Sequence, residues 1–427
     1  MKNFKGKRVL VYGMGSSGQS ACKLVHEMGG NVSFYDDDNR FSGFYSSEKN
    51  PTTKKYDLVV VSPGVKVIGN EIISHFLLNK TKVISELDLG YMFCKGKVVG
   101  ITGTNGKTTT TSLVGDILKE AGVSNFVCGN IGLPISSIAL QTTRKSIVVC
   151  EVSNFQLELS NYFNADIAAI LNIAPDHLDR HGSFEEYVRV KKKIIKKKQT
   201  LVLNLDDNLV RTMQISKKNI YFSLRPLNKG VSIKNNAIYY NKTKIIPLGE
   251  IKLVGDKNLQ NVMAAVAICC KLKVKTKFIR SAIAKFVPPR HRLQMLGTTT
   301  SGAVVIDDSK ATNASSVEMA LESLAGREIM LLMGGQNKGY DFDAFFRKGY
   351  KIAQLICFGE AGQEIATLAK RYGYKTELFT KMSEGCEYAR ATAAEGQIVL
   401  LSPGCASFDE FSSYAVRGEI FKELMLD

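Results

Sequence analysis

The segment Gly100-Ile101-Thr102-Gly103-Thr104-Asn105-Gly106-Lys107-Thr108-Thr109 follows the apolar run 97–101 and precedes an amphipathic, helix-like pattern over 108–121. Glycines between a strand and a helix let backbone N–H groups approach a phosphate, and the helix dipole favours its negative charge. Lys107 adds a point charge, and the Thr108 hydroxyl is a suitable ligand for Mg²⁺. Ile101 departs from the commonest spacing of such loops. The strand and helix on either side nevertheless predict a phosphate-binding loop on a parallel α/β sheet.

A second glycine loop, Gly13-Met14-Gly15-Ser16-Ser17-Gly18, follows the strand-like run 8–12 and opens a helix-like pattern. Asp36 stands at the end of the next strand-like run, 32–35. This is the dinucleotide fingerprint in its usual context, in which a pyrophosphate lies at a helix N-terminus. Taken alone, the loop favours an NAD-dependent dehydrogenase or a tight turn without a ligand.

Two nucleotide-type openings are followed by a third α/β segment, with strands expected near 303–307, 328–333, 353–358 and 397–401. We therefore predict an α/β protein of three domains: a Rossmann-like domain over 1–93, a central phosphate-loop ATPase domain over 94–288 with a mostly parallel sheet, and a Rossmann-like α/β domain over 289–427. Pro288 and Pro289 cannot continue a helix and are the predicted hinge between the last two domains.

The net charge of +17 is concentrated between residues 189 and 280, where 22 Lys/Arg oppose 4 Asp/Glu. These basic residues are scattered through polar loops without a nucleic-acid-binding motif, so we expect a solvated surface that attracts anionic small substrates rather than nucleic acid. A non-catalytic nucleotide-binding protein that uses this segment is an alternative. No apolar run is long enough to span a membrane, and we expect the N-terminal residues to belong to the first strand and glycine loop rather than to a secretion signal. We expect a cytoplasmic protein whose nine cysteines are reduced.

Two further residues stand where α/β enzymes place their chemistry. Glu151 ends the apolar run 147–150 at the carboxyl edge of the predicted sheet, where a carboxylate is a candidate Mg²⁺ ligand or a charged residue leaving the core. His177 lies in Pro175-Asp176-His177-Leu178-Asp179-Arg180, directly after another strand-like run. The two neighbouring carboxylates favour a metal or catalytic role, and a helix-capping or surface histidine is the alternative.

The run ITGTNGKTTT, 101–110, resembles the phosphate loop of the Mur ligase and folylpolyglutamate synthetase superfamily. A lysine after Tyr187 also matches this family. The further motifs of the family follow in order: GNIG (129–132), EVSNFQLE (151–158), NIAPDHLDR (172–180), NLQN (258–261), HR (291–292), DDSKATN (307–313), GGQNKGYDF (334–342) and SPGCASFDEF (402–411). The first two and the last of these motifs are most similar to the D-glutamate-adding branch.

The resemblance implies an ATP-dependent ligase that adds D-glutamate to UDP-N-acetylmuramoyl-L-alanine through an acyl phosphate, in the synthesis of peptidoglycan precursors. It implies a monomer that binds small-molecule substrates, ATP and two Mg²⁺ ions. A sibling ligase or a folylpolyglutamate synthetase acting on another amino acid remains open. Asp37-Asp38 stand where relatives carry Thr-Arg, and the segment 37–61 is short, so the family's uracil contacts are not carried over.

The resemblance also implies roles for individual residues. Those expected to bind the UDP substrate are Gly15, Ser16, Ser17, Asp36, Ser62, Gly64 and Asn130. Those expected to bind ATP are Gly103, Thr104, Asn105, Gly106, Lys107, Thr108, Thr109, Asn258, Asn261, Arg292, Asp308 and Lys310. Those expected to bind D-glutamate are Thr312, Lys338, Ser407 and Phe408.

The expected metal ligands are Thr108 and Glu151 for one Mg²⁺ ion, His177 for the second, and Lys191 as a carbamate. Lys107, His177 and Lys191 are the expected catalytic residues. An ammonium group beside Mg²⁺ would repel the ion, whereas a carbamate is an anionic oxygen ligand of the kind that Mg²⁺ prefers. A neighbouring cation favours the neutral amine from which a carbamate forms.

Overall fold

The computed structural model describes residues 3–38, 45–213, 219–253, 255–287 and 290–426. The chain divides into two compact units. The first unit comprises Met1–Ile173, Glu185–Lys252 and Gln260–Phe286. The second comprises Ala174–Phe184, Leu253–Leu259 and Val287–Asp427. The domain boundaries after 93 and 288 stay predictions, and the predicted hinge prolines 288–289 lie outside the described residues.

The first unit opens with a five-stranded parallel sheet of order β3-β2-β1-β4-β5. Its strands are β1 Arg8–Tyr12, β2 Asn31–Tyr35, β3 Ser46–Ser47, β4 Leu58–Val61 and β5 Lys82–Ser85. Its helices are α1 Ser16–Glu27, α2 Glu71–Leu78 and α3 Glu86–Phe93. Val9 and Val11 pack on the same side as α1, and Leu10 and Tyr12 on the side of α2. Because helices cover both faces, the central strands β1 and β4 are almost continuously apolar.

A nine-stranded sheet of order β14-β13-β12-β11-β10-β9-β6-β8-β7 follows in the same unit. Its strands are β6 Lys97–Thr102, β7 Asn125–Gly129, β8 Ile147–Glu151, β9 Ile167–Ile170, β10 Thr200–Asn204, β11 Ile220–Ser223, β12 Val231–Lys234, β13 Ala237–Tyr240 and β14 Thr243–Pro247. The helices over this part of the chain are α4 Lys107–Glu120, α5 Ile135–Ile138, α6 Asn154–Glu158, α7 Leu178–His181, α8 Phe184–Lys192, α9 Asp256–Lys271 and α10 Thr276–Lys285. The sheet is parallel from β7 to β12, and β12-β13-β14 form antiparallel hairpins.

Two buried carboxylates of α3 fasten the first sheet to the second. Glu86 accepts hydrogen bonds from the Ser136 N–H at 2.8 Å and from the Ser136 hydroxyl. Asp88 accepts from the Ser160 hydroxyl at 2.7 Å and from the backbone N–H groups of residues 161–163. Burial raises the pKa of Glu86. The hydrogen bonds to Asp88 and to Glu86 Oε1 hold both sheets in one compact unit, whereas the buried Glu86 Oε2 has no hydrogen-bond partner among the described residues.

The second unit contains a six-stranded sheet of order β15-β16-β20-β17-β18-β19, parallel except for the β15-β16 pair. Its strands are β15 Gln294–Thr298, β16 Val304–Asp307, β17 Ile329–Gly334, β18 Gln354–Phe358, β19 Thr376–Leu378 and β20 Ile398–Gly404. Its helices are α11 Ala314–Ser323, α12 Phe342–Phe346, α13 Gly362–Arg371, α14 Met382–Thr392 and α15 Tyr414–Leu426. Separate apolar clusters fill its two faces.

The three sheets and their crossover helices confirm the predicted α/β class. The four strands expected in the last third of the chain correspond to β16, β17, β18 and β20. The nine cysteines are free thiols, seven of them buried. Among the described residues, no helix has the length and apolar character needed to cross a membrane.

Candidate active site

One cavity of about 520 Å³ in the first unit gathers every residue expected to bind the UDP substrate. The loop before α1 and the loop after β4 form one side of it, and Gly129–Pro134 with Gln156 form another. Gly13 takes a positive φ of 90°, and a Cβ at Gly18 would lie 1.8 Å from the Gly13 carbonyl oxygen. Only glycine fits such a close approach. The N-terminus of α1 therefore faces the cavity with free space at Gly15, where a Cβ would meet nothing within 4 Å.

Three consecutive aspartates, 36–38, also line this cavity. The Asp36 carboxylate accepts from the Met14 N–H at 2.6 Å and the Asp38 N–H at 3.0 Å, so it shapes the glycine loop. The Asp37 carboxylate accepts from the Tyr12 hydroxyl at 3.0 Å, and burial raises the pKa of Tyr12 to about 12. Tyr12 remains neutral at physiological pH and acts as a hydrogen-bond donor.

Asn130 joins this cavity to a buried carboxylate. Its side-chain amide donates to Glu151 Oε1 at 2.7 Å. Glu151 is 1% exposed, and its Oε2 has no hydrogen-bond partner among the described residues. A buried carboxylate oxygen without a partner is costly in a protein interior unless a cation or another donor completes it. The chemistry of this oxygen fits a Mg²⁺ ligand.

The phosphate loop lies between β6 and α4, as predicted. Gly106 has a positive φ of 81° and precedes the first residue of α4. Asn172 fixes the loop from the end of β9: its side chain accepts from the Asn105 N–H at 2.8 Å and donates to the Asn105 carbonyl at 3.0 Å. The Thr104 hydroxyl lies 2.9 Å from the Tyr187 hydroxyl. Thr108 and Thr109 lie in the first turn of α4.

Two ammonium groups converge on this loop. Lys107 Nζ donates to the carbonyls of Gly103 at 2.8 Å and Thr104 at 2.7 Å. Lys191 Nζ donates to the same Gly103 carbonyl at 3.0 Å, and it lies 4.7 Å from the centre of the Tyr187 ring. Lys191 is 1% exposed, whereas Lys192 is exposed. The structure therefore separates Lys191 from its exposed neighbour Lys192.

The two asparagines expected to bind ATP both lie within α9, which begins at Asp256. Both asparagines therefore lie inside the helix rather than in a turn before it. Asn261 belongs to the first unit, where a Cβ at Gly106 would come within 2.0 Å of its Oδ1. The Asn261 Nδ2 is buried without a hydrogen-bond partner among the described residues. Asn258 belongs to the second unit.

Asp176 and His177 belong to the second unit. Asp176 accepts hydrogen bonds from the Tyr340 hydroxyl and from Asn313 Nδ2, the latter at 3.2 Å. His177 takes a left-handed φ of 53° at the start of α7, and its Nε2 lies 3.5 Å from Asp176 Oδ1. The described residues contain no group of three or more His, Cys, Asp or Glu side chains suited to a metal ion.

The remaining residues expected to bind ATP surround the start of the third sheet. His291 Nδ1 lies 2.6 Å from Asp307 Oδ2, and both residues are buried. Asp308 accepts from the Ser402 hydroxyl at 2.8 Å and the Leu293 N–H at 3.2 Å. Burial raises the pKa of Asp308 to about 7, an effect that Arg292 opposes by its charge. Lys310 Nζ lies 3.5 Å from the centre of the Tyr414 ring.

The residues expected to bind D-glutamate lie in loops of the second unit. Lys338 follows β17, and burial lowers its pKa while Asp176 and Asp179 oppose that shift. Thr312 is half-buried, Ser407 is buried, and the Phe408 side chain is 68% exposed. Ser407 and Phe408 follow β20, directly after Cys405 and Ala406.

Several residues of these sites escaped the sequence analysis. Arg417 is completely buried and donates to the Ser309 hydroxyl and to the carbonyls of Ser309, Cys405 and Ala406. Burial lowers its pKa to about 10. Nothing in its sequence context distinguishes it from a surface arginine of α15. Asn172, by contrast, stands first in the quoted motif 172–180, just beyond the carboxyl end of β9, but its hydrogen bonds to the phosphate loop were not predicted.

Comparison with known proteins identifies Mur ligase domains in this chain and a relative that aligns with nearly all of it. The Mur ligase middle domain matches residues 101–269, and the Mur ligase, glutamate ligase domain matches residues 291–405. The chain is 38% identical to the UDP-N-acetylmuramoylalanine–D-glutamate ligase of Lachnoclostridium phytofermentans, over 99% of this chain and 98% of that protein.

Solved structures share the fold at lower identity. A pseudomurein peptide ligase type C from Methanothermus fervidus superposes with a TM-score of 0.65 at 19% identity, over 98% of this chain and 99% of that one. The MurF ligase from Thermotoga maritima in complex with ADP gives 0.61 at 14% identity, over 99% and 95%. With two matched domains in order and a relative that aligns from end to end, the chain belongs to the Mur ligase family.

Proposed function

We propose that this protein is an ATP-dependent ligase that joins D-glutamate to UDP-N-acetylmuramoyl-L-alanine, a step of peptidoglycan precursor synthesis. One observation carries the proposal: Asn130 lines the cavity of the first glycine loop and also donates to Glu151, which ends a strand adjoining the phosphate-loop strand. A pyrophosphate-type cavity next to a triphosphate-type loop suits an enzyme that activates a nucleotide-linked carboxylate with ATP. The relative of the same activity, 38% identical, supports the choice of D-glutamate.

The reaction has two steps that balance without another reactant. A carboxylate oxygen of the L-alanyl group attacks the γ-phosphorus of ATP, the bond to the bridging oxygen breaks, and ADP leaves with the electron pair. The D-glutamate nitrogen then attacks the acyl carbon, the bond from that carbon to the phosphate oxygen breaks, and phosphate leaves. The nitrogen gives up a proton as the amide forms.

The residues of the phosphate loop act mainly by charge and orientation. Lys107 turns its ammonium from the carbonyls of Gly103 and Thr104 towards the phosphate oxygens, where negative charge accumulates in the first step. Asn172 holds the loop backbone in the shape that presents its N–H groups. Asn261 packs against Gly106 and contributes to ATP binding. ATP-binding roles are also proposed for Asn258, Arg292, Asp308 and Lys310, which belong to the second unit.

We propose two Mg²⁺ ions, which when bound offset the negative charge of the phosphates. Thr108 and Glu151 hold one ion, and the partnerless Glu151 Oε2 is the oxygen that supports this choice. His177 is a ligand of the second ion. Carbamylated Lys191 supplies an additional anionic oxygen. Lys107 and Lys191 converge on one carbonyl, where two ammonium groups repel each other. A carbamate on Lys191 would replace this repulsion by attraction between an anion and the Lys107 cation, which supports the proposal.

Amino-acid binding falls to Lys338, Thr312, Ser407 and Phe408. Lys338 offers a cation for a carboxylate of D-glutamate, and the buried Ser407 offers a hydroxyl. We place the reaction in the cytoplasm, where ATP and the nucleotide precursor are made, and expect a monomer.

Release of ADP in a coupled assay tests this function. ADP should appear only when ATP, Mg²⁺, UDP-N-acetylmuramoyl-L-alanine and D-glutamate are all present. L-Glutamate, L-lysine, meso-diaminopimelate and L-alanine should each give less than about a hundredth of that rate. Equal turnover with one of these amino acids would reassign the chain to a sibling activity. Hydride transfer to or from a nicotinamide would make it a dehydrogenase.

A further inference from the structure

The buried carboxylate of Asp176 is held by two residues from distant parts of the same unit. Asp176 is 6% exposed. Its Oδ1 accepts from the Tyr340 hydroxyl, and its Oδ2 accepts from Asn313 Nδ2 at 3.2 Å. In the sequence, Asn313 lies 137 positions and Tyr340 lies 164 positions from Asp176. The contacts attach the segment Ala174–Phe184 to the unit that contains the third sheet.

Both donors are themselves fixed. The Asn313 Oδ1 accepts from the Ser316 N–H at 2.8 Å and caps α11, which leaves the amide nitrogen to point at Asp176. The Tyr340 N–H donates to Asn337 Oδ1 at 2.9 Å. The Tyr340 ring packs edge-on against the Phe342 ring, with 6.5 Å between the ring centres. Donors fixed by a helix cap and by the apolar core define the carboxylate's position better than mobile surface groups would.

Asp176 in turn adjoins His177. The left-handed backbone of His177, φ 53°, lets its carbonyl accept from the N–H groups of Arg180 and His181, each at 3.1 Å. This conformation is uncommon for a residue with a side chain and needs support from its surroundings. The anchored Asp176 is the buried residue directly before it.

We infer that Tyr340 and Asn313 are positioning residues. By holding Asp176, they fix the neighbouring His177 to the second unit, which also contains Lys338. This inference rests on the proposed function, in which His177 is a metal ligand and Lys338 receives the amino acid. Lys338 lies only two positions before Tyr340, so one short loop both offers the cation and supports the histidine's neighbour. Neither Tyr340 nor Asn313 needs to touch a substrate.

Tyr340→Phe tests the inference because it removes one hydroxyl and keeps the ring in the core. Tyr372→Phe is the matched control, since the Tyr372 hydroxyl donates to Asp343 at 2.8 Å at an exposed position of the same unit. Asn313→Asp is the second variant. An aspartate still caps α11, but it faces Asp176 with an acceptor instead of a donor.

The first measurement is hydrogen exchange of the substrate-free proteins, which does not depend on the proposed function. Amides 178–183 should exchange at least about tenfold faster in Tyr340→Phe and Asn313→Asp than in the wild type, while those of β17 and β20 keep their rates. Tyr372→Phe should match the wild type. Unchanged exchange over 178–183 in both variants overturns the inference. A uniform increase across the whole unit overturns it as well, because it shows a loss of stability alone.

The second measurement is steady-state turnover with D-glutamate. We expect kcat to fall about tenfold in both variants and the Mg²⁺ concentration for half-maximal rate to rise. KM for the UDP substrate should stay within twofold, because its cavity is built in the first unit. An inactive wild type would refute the proposed function and leave the exchange result to judge the positioning. Unchanged kcat and Mg²⁺ dependence in both variants would contradict the link to His177.

Discussion

Lys107 and Lys191 donate to the same carbonyl oxygen, that of Gly103, at 2.8 Å and 3.0 Å. Two like charges that share one acceptor repel each other, and Lys191 is too buried for solvent to screen them well. Under the proposed function, a triphosphate and Mg²⁺ bound at this loop would satisfy Lys107 but would add a further cation beside Lys191. The carbamate proposed for Lys191 would remove this conflict, since it would turn the second cation into an anionic ligand.

Lys191→Ala should therefore lose nearly all activity, by a factor of at least about 10², and acetate or formate should restore part of it. A carbon-13 NMR signal from a carbamate should appear in the wild type after exposure to labelled bicarbonate and be missing from Lys191→Ala. Lys192→Ala, at the exposed neighbouring position, is the control and should keep normal turnover and the signal. A fully active Lys191→Ala enzyme would end the idea.

Lys107→Ala should abolish turnover while the protein stays folded. The Lys107 side chain is half-buried and contacts loop carbonyls rather than an apolar core. Loss of a charge that acts on the reacting phosphate costs about 10²–10³ in kcat. Thermal unfolding should change little. Lys119→Ala, in the exposed last turn of the same helix, provides the control. Near-normal turnover of folded Lys107→Ala would show that this loop does not bind the reacting phosphate.

Gly15→Val should weaken binding of the UDP substrate by at least about tenfold, measured by calorimetry, without loss of structure. A Cβ at Gly15 meets no atom within 4 Å and its φ is −62°, so the added side chain enters only the cavity. NADH should bind neither protein. Gly18→Val is the contrasting variant: its Cβ would clash with the Gly13 carbonyl, and we expect about 1–3 kcal/mol of lost stability. Unaltered affinity in Gly15→Val would place the substrate elsewhere.

The sequence predicted the parts of the fold that local pattern controls. Glycine loops between apolar strands and helices marked the openings of the first two sheets, and apolar runs marked four strands of the third. The antiparallel strands β13, β14 and β15 were missed, because pairing direction depends on neighbours brought together by tertiary structure. The assignment of the segment around His177 to the second unit was missed for the same reason.

In the candidate sites, too, residues in local motifs could be predicted, whereas contacts between distant residues could not. All seven residues expected around the UDP substrate line one cavity, since each lies in a loop that follows a parallel strand or in the first turn of the helix after it. Their supporting partners could not be predicted. Tyr340 meets Asp176 across 164 positions, and Arg417 reaches Ser309 across 108. A tyrosine or an arginine in a helix or loop carries no local signal of the distant carboxylate or carbonyl that it will contact.

Asp308 gives a prediction about pH. Burial raises its pKa from 3.8 to about 7, so between these values the folded protein binds a proton that the unfolded chain releases. Stability contributed by this group therefore falls as pH rises through that window and continues to fall until the folded state also ionises near pH 7.

Asp308→Asn cannot ionise and keeps a polar group of the same size beside the Ser402 hydroxyl. From pH 6 to pH 8 the wild type should lose about 1 kcal/mol more stability than Asp308→Asn. Urea unfolding of both proteins at the two pH values measures this difference, and Asp256→Asn, at an exposed position on α9, is the control that should follow the wild type. Parallel pH dependence in the wild type and Asp308→Asn would mean that Asp308 is already ionised at pH 6, as its neighbour Arg292 would favour.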